Sequence, residues 1–158
     1  MLDTLDNKIL TTLVNNARIT WSELASLLKL SGPSTADRVR RLEEKKIIKG
    51  YITLIDHKAI GYTLLAYVFV TLGHPNSRAV FLKTAQELSE VLECHHITGD
   101  DDYLLKVRCK DTDHLDQFLN DHLKQIAGVI KTRTTIVLSS AKENSSVLIK
   151  TNGGKYVD

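Results

Sequence analysis

The sequence is short of the residues that usually announce chemistry or membrane insertion. It has two cysteines, Cys94 and Cys109, too few for a disulfide framework and without the repeated CxxC spacing of a zinc site. No apolar run approaches the roughly 18–20 residues of a membrane-spanning helix. The longest, Leu64 to Leu72, has the length of a strand. The opening MLDTLDNKIL has no positive stretch leading into an apolar core, so no signal peptide is read there and a cytoplasmic location is expected. GxSxG, P-loop, GxGxxG and HExxH motifs are all missing, and no enzyme is expected. One sign of charge does not dominate either. A formal net charge of +2 with 25% charged and 42% hydrophobic residues excludes both a disordered chain and a generic polybasic binder of nucleic acid.

The charge that is present is unevenly placed. Residues 1–50 hold nine lysines and arginines against six acids, and six of those nine fall between Arg38 and Lys49. A phosphate-facing surface requires such local concentration.

Three helices are expected in this basic part. Leu5, Ile9 and Leu13 form one stripe behind Asp3 as N-cap. Thr20-Trp21-Ser22-Glu23 spells a capping box opening a short helix whose buried face is Leu24, Leu27 and Leu28. Ser31 or Gly32 caps a third helix, which tolerates Pro33 in its first turn and buries Thr35, Val39 and Leu42. Two short helices joined by a tight turn read as a helix-turn-helix over residues 1–49. Residues 50–61, GYITLIDHKAIG, read as a linker strand.

The remainder alternates types. Strands are expected at Leu64–Leu72, Val91–Thr98, Tyr103–Cys109 and Val129–Leu138, and helices at Ser77–Glu90 and residues 113–127, the latter with His122 on its inner stripe. The order βαββαβ is ferredoxin-like, and the whole chain is α+β. This second domain spans residues 62–138, and a tail over 139–158 holds one short strand at Val147-Leu148-Ile149. Closing a turn at Gly99–Asp102 pairs Thr98 with Tyr103, His96 with Leu105, Cys94 with Val107 and Leu92 with Cys109 on the helix-covered face. Glu93 and Arg108, and His95 and Lys106, pair on the other. The first strand is apolar on both faces, with Ala66, Val68 and Val70 on one and Leu65, Tyr67 and Phe69 on the other. The second face is too apolar for water, which implies a homodimer packed sheet to sheet.

The DNA-contact candidates are Ser34, Thr35, Asp37, Arg38 and Arg41 on the third helix, with the amide end of the second helix at Trp21 holding the backbone. Arg38 is favoured for bases because its planar fork matches guanine edges and phosphates alike, and Arg41 for phosphate. Asp37 is read as an i,i+4 partner of Arg41. Of Cys94, His95, His96 and Cys109, only Cys94, His96 and Cys109 can converge, since adjacent strand residues point to opposite faces. Without a fourth ligand no metal is expected, and no cofactor. Gly99-Asp100-Asp101-Asp102 lacks the spaced ligands of an EF-hand and makes a turn. Its three carboxylates exceed what a turn needs, and fit the ammonium group of an amino acid or a neighbouring subunit.

In this order LDTLDNKIL, NNARITWSELA, LSGPSTADRVRRLEEKKIIKGY, ITGDDDYLLKVRCKD and GVIKTRTTIVL resemble the Lrp/AsnC (feast/famine) family of bacterial and archaeal regulators. The resemblance implies a sequence-specific transcriptional regulator of double-stranded DNA, assembled as dimers and then tetramers, octamers or rings. It implies an amino acid or related effector bound near Gly99, Asp100, Asp102 and Tyr103 and the last-strand threonines Thr132 and Thr134. Asp101 departs from the family in standing where relatives often have an uncharged residue, which favours a basic effector or places a carboxylate in solvent. Gly32 before Pro33 loosens the entry to the recognition helix. The alternatives are an amino-acid-sensing module acting on a protein partner without DNA binding, and a small enzyme using His95, His96 or Cys109.

Overall fold

In the computed structural model residues 2–143 are described, so the tail strand expected at Val147-Leu148-Ile149 lies outside the described residues. Two compact units divide between Leu54 and Ile55, inside the segment read as the linker.

The N-terminal unit contains α1 (Thr4–Asn15), α2 (Trp21–Leu28) and α3 (Gly32–Glu44). Each begins where a side chain satisfies the orphan amides of a first turn. Asp3 accepts from the Asp6 amide at 2.7 Å while Asp6 accepts from the Asp3 amide, a reciprocal capping box. Thr20 and Glu23 repeat the device on α2, and Ser31 caps α3. The α2–α3 turn is tight because Lys29 takes the left-handed conformation at φ 55°, letting the Leu30 amide bond the Ala25 carbonyl. Ile9, Leu10, Leu24, Leu28, Val39 and Leu42 close the core, each contributing roughly 1.5–3 kcal/mol by leaving water. Leu27, expected inside, is 48% exposed. Ala25 takes the inner position, and the Leu27 carbonyl accepts from Lys8 Nζ.

Residues 51–56 carry no strand ladder within the chain. The expected linker strand therefore has no ladder partner among the described residues, and Tyr51, Ile52, Leu54 and Ile55 are exposed.

The C-terminal unit holds β1 (Leu64–Leu72), α4 (Arg78–Glu87), β2 (Val91–His96), β3 (Tyr103–Cys109), α5 (Thr112–Gln117) and β4 (Val129–Ile136). The strands form one sheet in the order β2-β3-β1-β4, with antiparallel neighbours throughout. This is the ferredoxin-like arrangement. Ala66, Val68, Val70, Tyr103, Leu105 and Val107 meet Phe81, Ala85, Leu115, Phe118 and Leu123 in a buried core. The expected single helix over 113–127 is broken instead. After α5 it widens into a π turn at Phe118–His122 and tightens into a 3-10 turn at Leu123–Gln125, which turns His122 out to solvent. Gly128, at φ 93°, allows the close approach of Ser77, whose Oγ would lie 2.0 Å from any Cβ placed there.

The β2–β3 register differs from expectation by two residues. His96 faces Tyr103 and Cys94 faces Leu105, because the connection runs from Ile97 to Asp102 and closes with the Ile97 amide on the Asp102 carbonyl. Strand side chains repeat every two residues, so the slip leaves Cys94 and His96 on the intended face. A bulge between Val91 and Glu93 then reverses Leu92, which is 42% exposed rather than paired with Cys109. On the open face Glu93 pairs with Lys106 at 3.2 Å instead of Arg108.

Candidate nucleic-acid interface and effector turn

The inner stripe of α3 is Thr35, Val39 and Leu42, all buried. Thr35 is 0% exposed and its hydroxyl donates to the Ser31 carbonyl, so this candidate contact is a core residue out of reach of a ligand. Arg38 flanks the stripe and turns toward α1. Its Nη1 lies 2.6 Å from Asp3 Oδ2 and 2.9 Å from Asp6 Oδ1, with the side chain 24% exposed. The Asp6 amide, and then the Arg38 guanidinium, hold the Asp3 carboxyl below its ordinary value. Arg38, favoured by sequence for reading bases, thus ties the head of α1 to α3.

The outward side of α3 carries Asp37, Arg40, Arg41 and Glu44. Asp37 accepts from Arg40 at 2.5 Å through Oδ1 and from Arg41 at 3.2 Å through Oδ2. These two arginines, Arg40 first, depress the Asp37 carboxyl. Arg40 was not among the sequence candidates, although its place opposite the Thr35–Val39–Leu42 stripe follows from helical spacing alone. Ser34 is exposed near the start of α3, sharing a hydroxyl hydrogen bond with Ser31, and Trp21 is 55% exposed at the start of α2.

The turn after β2 spends its carboxylates unequally. Asp102 accepts the Leu72 amide at 2.7 Å, where the β1–β4 register shifts and frees that donor. Asp101 is buried, a side chain only 4% exposed and 2.8 Å from Arg133 Nη2, and it also accepts from the Thr71 hydroxyl. The Arg133 guanidinium lies 3.8 Å from the Phe69 ring centroid. Asp101 therefore neither faces solvent nor stands open to a basic ligand. Its charge is satisfied by Arg133, which holds the carboxyl below its ordinary value despite burial. Gly99, at φ 122°, and Asp100 remain exposed.

The register sets the other candidates in a row. Tyr103 and Thr132 flank Val70 on the helix-covered face, and Thr134 flanks Val68 one pair further along. Tyr103 is 2% exposed, packed against Phe81 and His96, and its buried hydroxyl has no hydrogen-bond partner among the described residues. Cys109 is fully buried, its thiol pushed up to about 11 by burial and the nearby Glu90 and Asp111. Among the described residues no three His, Cys, Asp or Glu side chains gather as a metal cluster.

Two family models match. Residues 2–43 fit the AsnC-type helix-turn-helix domain, and residues 65–147 the Lrp/AsnC ligand binding domain. The chain belongs to the Lrp/AsnC family. This Lrp/AsnC regulator is 38% identical over 152 residues to the leucine-responsive regulatory protein of Escherichia coli K12, covering 95% of this chain and 93% of that one. Its fold matches transcriptional regulator NMB0573 of Neisseria meningitidis, solved with L-Met, at a TM-score of 0.89, 30% identity and 93% and 96% coverage. A feast or famine regulatory protein of M. tuberculosis, complexed with L-methionine, matches at 0.87, 30% identity and 94% and 100% coverage. The relatives are transcriptional regulators, and so is this chain, with its helix-turn-helix as the DNA-binding domain and no enzymatic role. No helix among the described residues is long and apolar enough to cross a membrane.

Proposed function

We propose that this regulator grips double-stranded DNA through the outward side of α3, as a homodimer that assembles further into tetramers or octamers in the cytoplasm. The observation that carries the reading is the exposed Asp37–Arg40–Arg41 group set on a helix whose opposite side is locked into the core. Ser34 at the start of α3 and the N-terminus of α2 at Trp21 supply backbone contacts. Arg41 meets phosphate, and Arg38 acts by positioning α1 against α3. Dimerisation is supported by the open sheet face, where Tyr67 and Phe69 lack covering helices, and by the exposed apolar side chains Tyr51, Ile52, Leu54 and Ile55.

The effector is an amino acid, since two related structures hold L-methionine and the E. coli relative is named leucine-responsive. Asp100 receives its ammonium group. Gly99 leaves room beside it, and Tyr103, Thr132 and Thr134 supply hydroxyls at the same end of the sheet. Asp102 shapes the turn from below. Effector binding alters contacts between dimers and hence DNA affinity, by linkage.

Fluorescence anisotropy on random duplex DNA across a salt series tests the DNA reading. Wild-type affinity should fall steeply with salt, and Arg41→Ala should flatten the log–log slope by about 0.9 for the one phosphate lost. No binding at any salt, with or without L-methionine, would leave the protein-partner reading in its place.

A further inference from the structure

The outward side of α3 has an unusual electrostatic economy for a surface meant to meet phosphate. Arg40 is 67% and Arg41 55% exposed, yet both guanidiniums are drawn to one carboxylate, with separate oxygens of Asp37 serving each. Glu44 stands 3.9 Å from Arg40 Nε. The four side chains sum to zero charge in the middle of the only strongly basic stretch of the chain. By contrast Lys45, Lys46 and Lys49 stand exposed just beyond the end of α3.

We propose that Asp37 is a specificity-determining residue of the DNA interface, holding Arg40 toward base edges and withholding it from phosphate on random sequence, while Arg41 at the longer distance stays available to phosphate. The inference rests on the DNA-binding role proposed for α3. On an arbitrary duplex a phosphate must compete with Asp37 for Arg40, while Asp37 itself repels the backbone. At a G·C pair Asp37 and Arg40 can both be satisfied. Guanine offers N7 and O6 as acceptors to a guanidinium fork, and its paired cytosine offers the N4 amino group as donor to the carboxylate. The repulsive element is what separates the right site from the wrong ones. Arg40 and Asp37 are thereby assigned to base edges.

The test uses the full chain with Asp37→Asn, and Glu44→Gln as a control that removes the same charge from the same helix. Each is measured for affinity to a random duplex pool across salt, and each is used to select preferred sequences from that pool. Helicity and thermal midpoint establish folding, which an exposed mid-helix Asn does not threaten. Asp37→Asn should bind the random pool about tenfold more tightly at about 0.1 M salt for each phosphate newly contacted, with a log–log slope steeper by about 0.9 per contact. The sequences it selects should lose a G·C preference that wild type and Glu44→Gln both keep. The proposal is overturned if Asp37→Asn binds random DNA no more tightly and selects the wild-type sequence, or if Glu44→Gln erases the same preference. Wild type failing to bind any duplex would overturn the DNA reading beneath it, and the two failures are thus distinct.

Discussion

Arg38 of α3 reaches Asp3 at 2.6 Å, joining the recognition helix to the residue that caps α1. Asp6, the other half of that capping box, takes the same guanidinium nitrogen at 2.9 Å. One arginine therefore bridges two carboxylates gathered at a helix N-terminus. Its loss should act on the stability of the N-terminal unit before it acts on sequence preference. Arg38→Gln should lower the thermal midpoint of the first unfolding step while leaving the bases selected from a random pool unchanged. A changed selection with an unchanged midpoint would return Arg38 to the base-reading role.

The pH dependence of that clamp has a definite sign. Asp3 has an ordinary value of 3.8 and is depressed in the folded chain, so the folded state binds fewer protons there than the unfolded state. The stabilisation is complete above about pH 4 and is lost as pH falls toward the depressed folded value. The midpoint difference between wild type and Arg38→Gln should be constant at neutral pH and shrink in acid. A difference that grows below pH 4 would contradict the assignment.

Thr35 separates core from contact. Its side chain is wholly buried and bonded to the Ser31 carbonyl. Thr35→Val keeps the shape and removes one hydrogen bond, which should cost about 0.5–1.5 kcal/mol in unfolding free energy without altering DNA affinity of the folded protein. A large loss of affinity at full folding would place Thr35 on the DNA.

What the sequence made legible was local. The Thr20–Glu23 box, the Ser31 cap and the Thr35–Val39–Leu42 stripe are written within one or two turns, where spacing and chemistry decide together. The element order and the apolar second face of β1 were legible too, since period-two alternation needs no knowledge of partners. Contacts that join distant residues were not. Arg38 with Asp3 spans 35 positions and Asp101 with Arg133 spans 32, and nothing in either segment names the other. The β2–β3 register was missed because a carbonyl-closed loop from Ile97 to Asp102 replaced the shorter turn. The π turn at Phe118–His122 was invisible because Leu115, Phe118, Leu119 and Leu123 fit ideal helical spacing equally well.

Phe69 carries the prediction for assembly. Arg133 lies across its ring on the open face, and Asp101 fixes that arginine from beneath. Phe69→Glu would set a second carboxylate on a face proposed to meet its own copy, so the charge is repeated across the two-fold. The dimer should dissociate by at least tenfold in light scattering or sedimentation, with the monomer still folded because Val68 and Val70 remain in the core. An unchanged mass would move the interface elsewhere.

Tyr103 is the sharpest test of the effector reading, because its hydroxyl is buried with no hydrogen-bond partner among the described residues. An unsatisfied buried hydroxyl costs about 1–3 kcal/mol. Tyr103→Phe should then raise the thermal midpoint without effector, by the equivalent of about 1 kcal/mol, since the ring contacts with Phe81 and His96 are kept. If the hydroxyl is reserved for the effector, the same substitution should shrink the midpoint shift produced by L-methionine. Asp100→Asn should shrink that shift too, while leaving the effector-free midpoint unmoved, as befits an exposed carboxylate. Equal L-methionine shifts in wild type and both variants would remove this end of the sheet from the effector site.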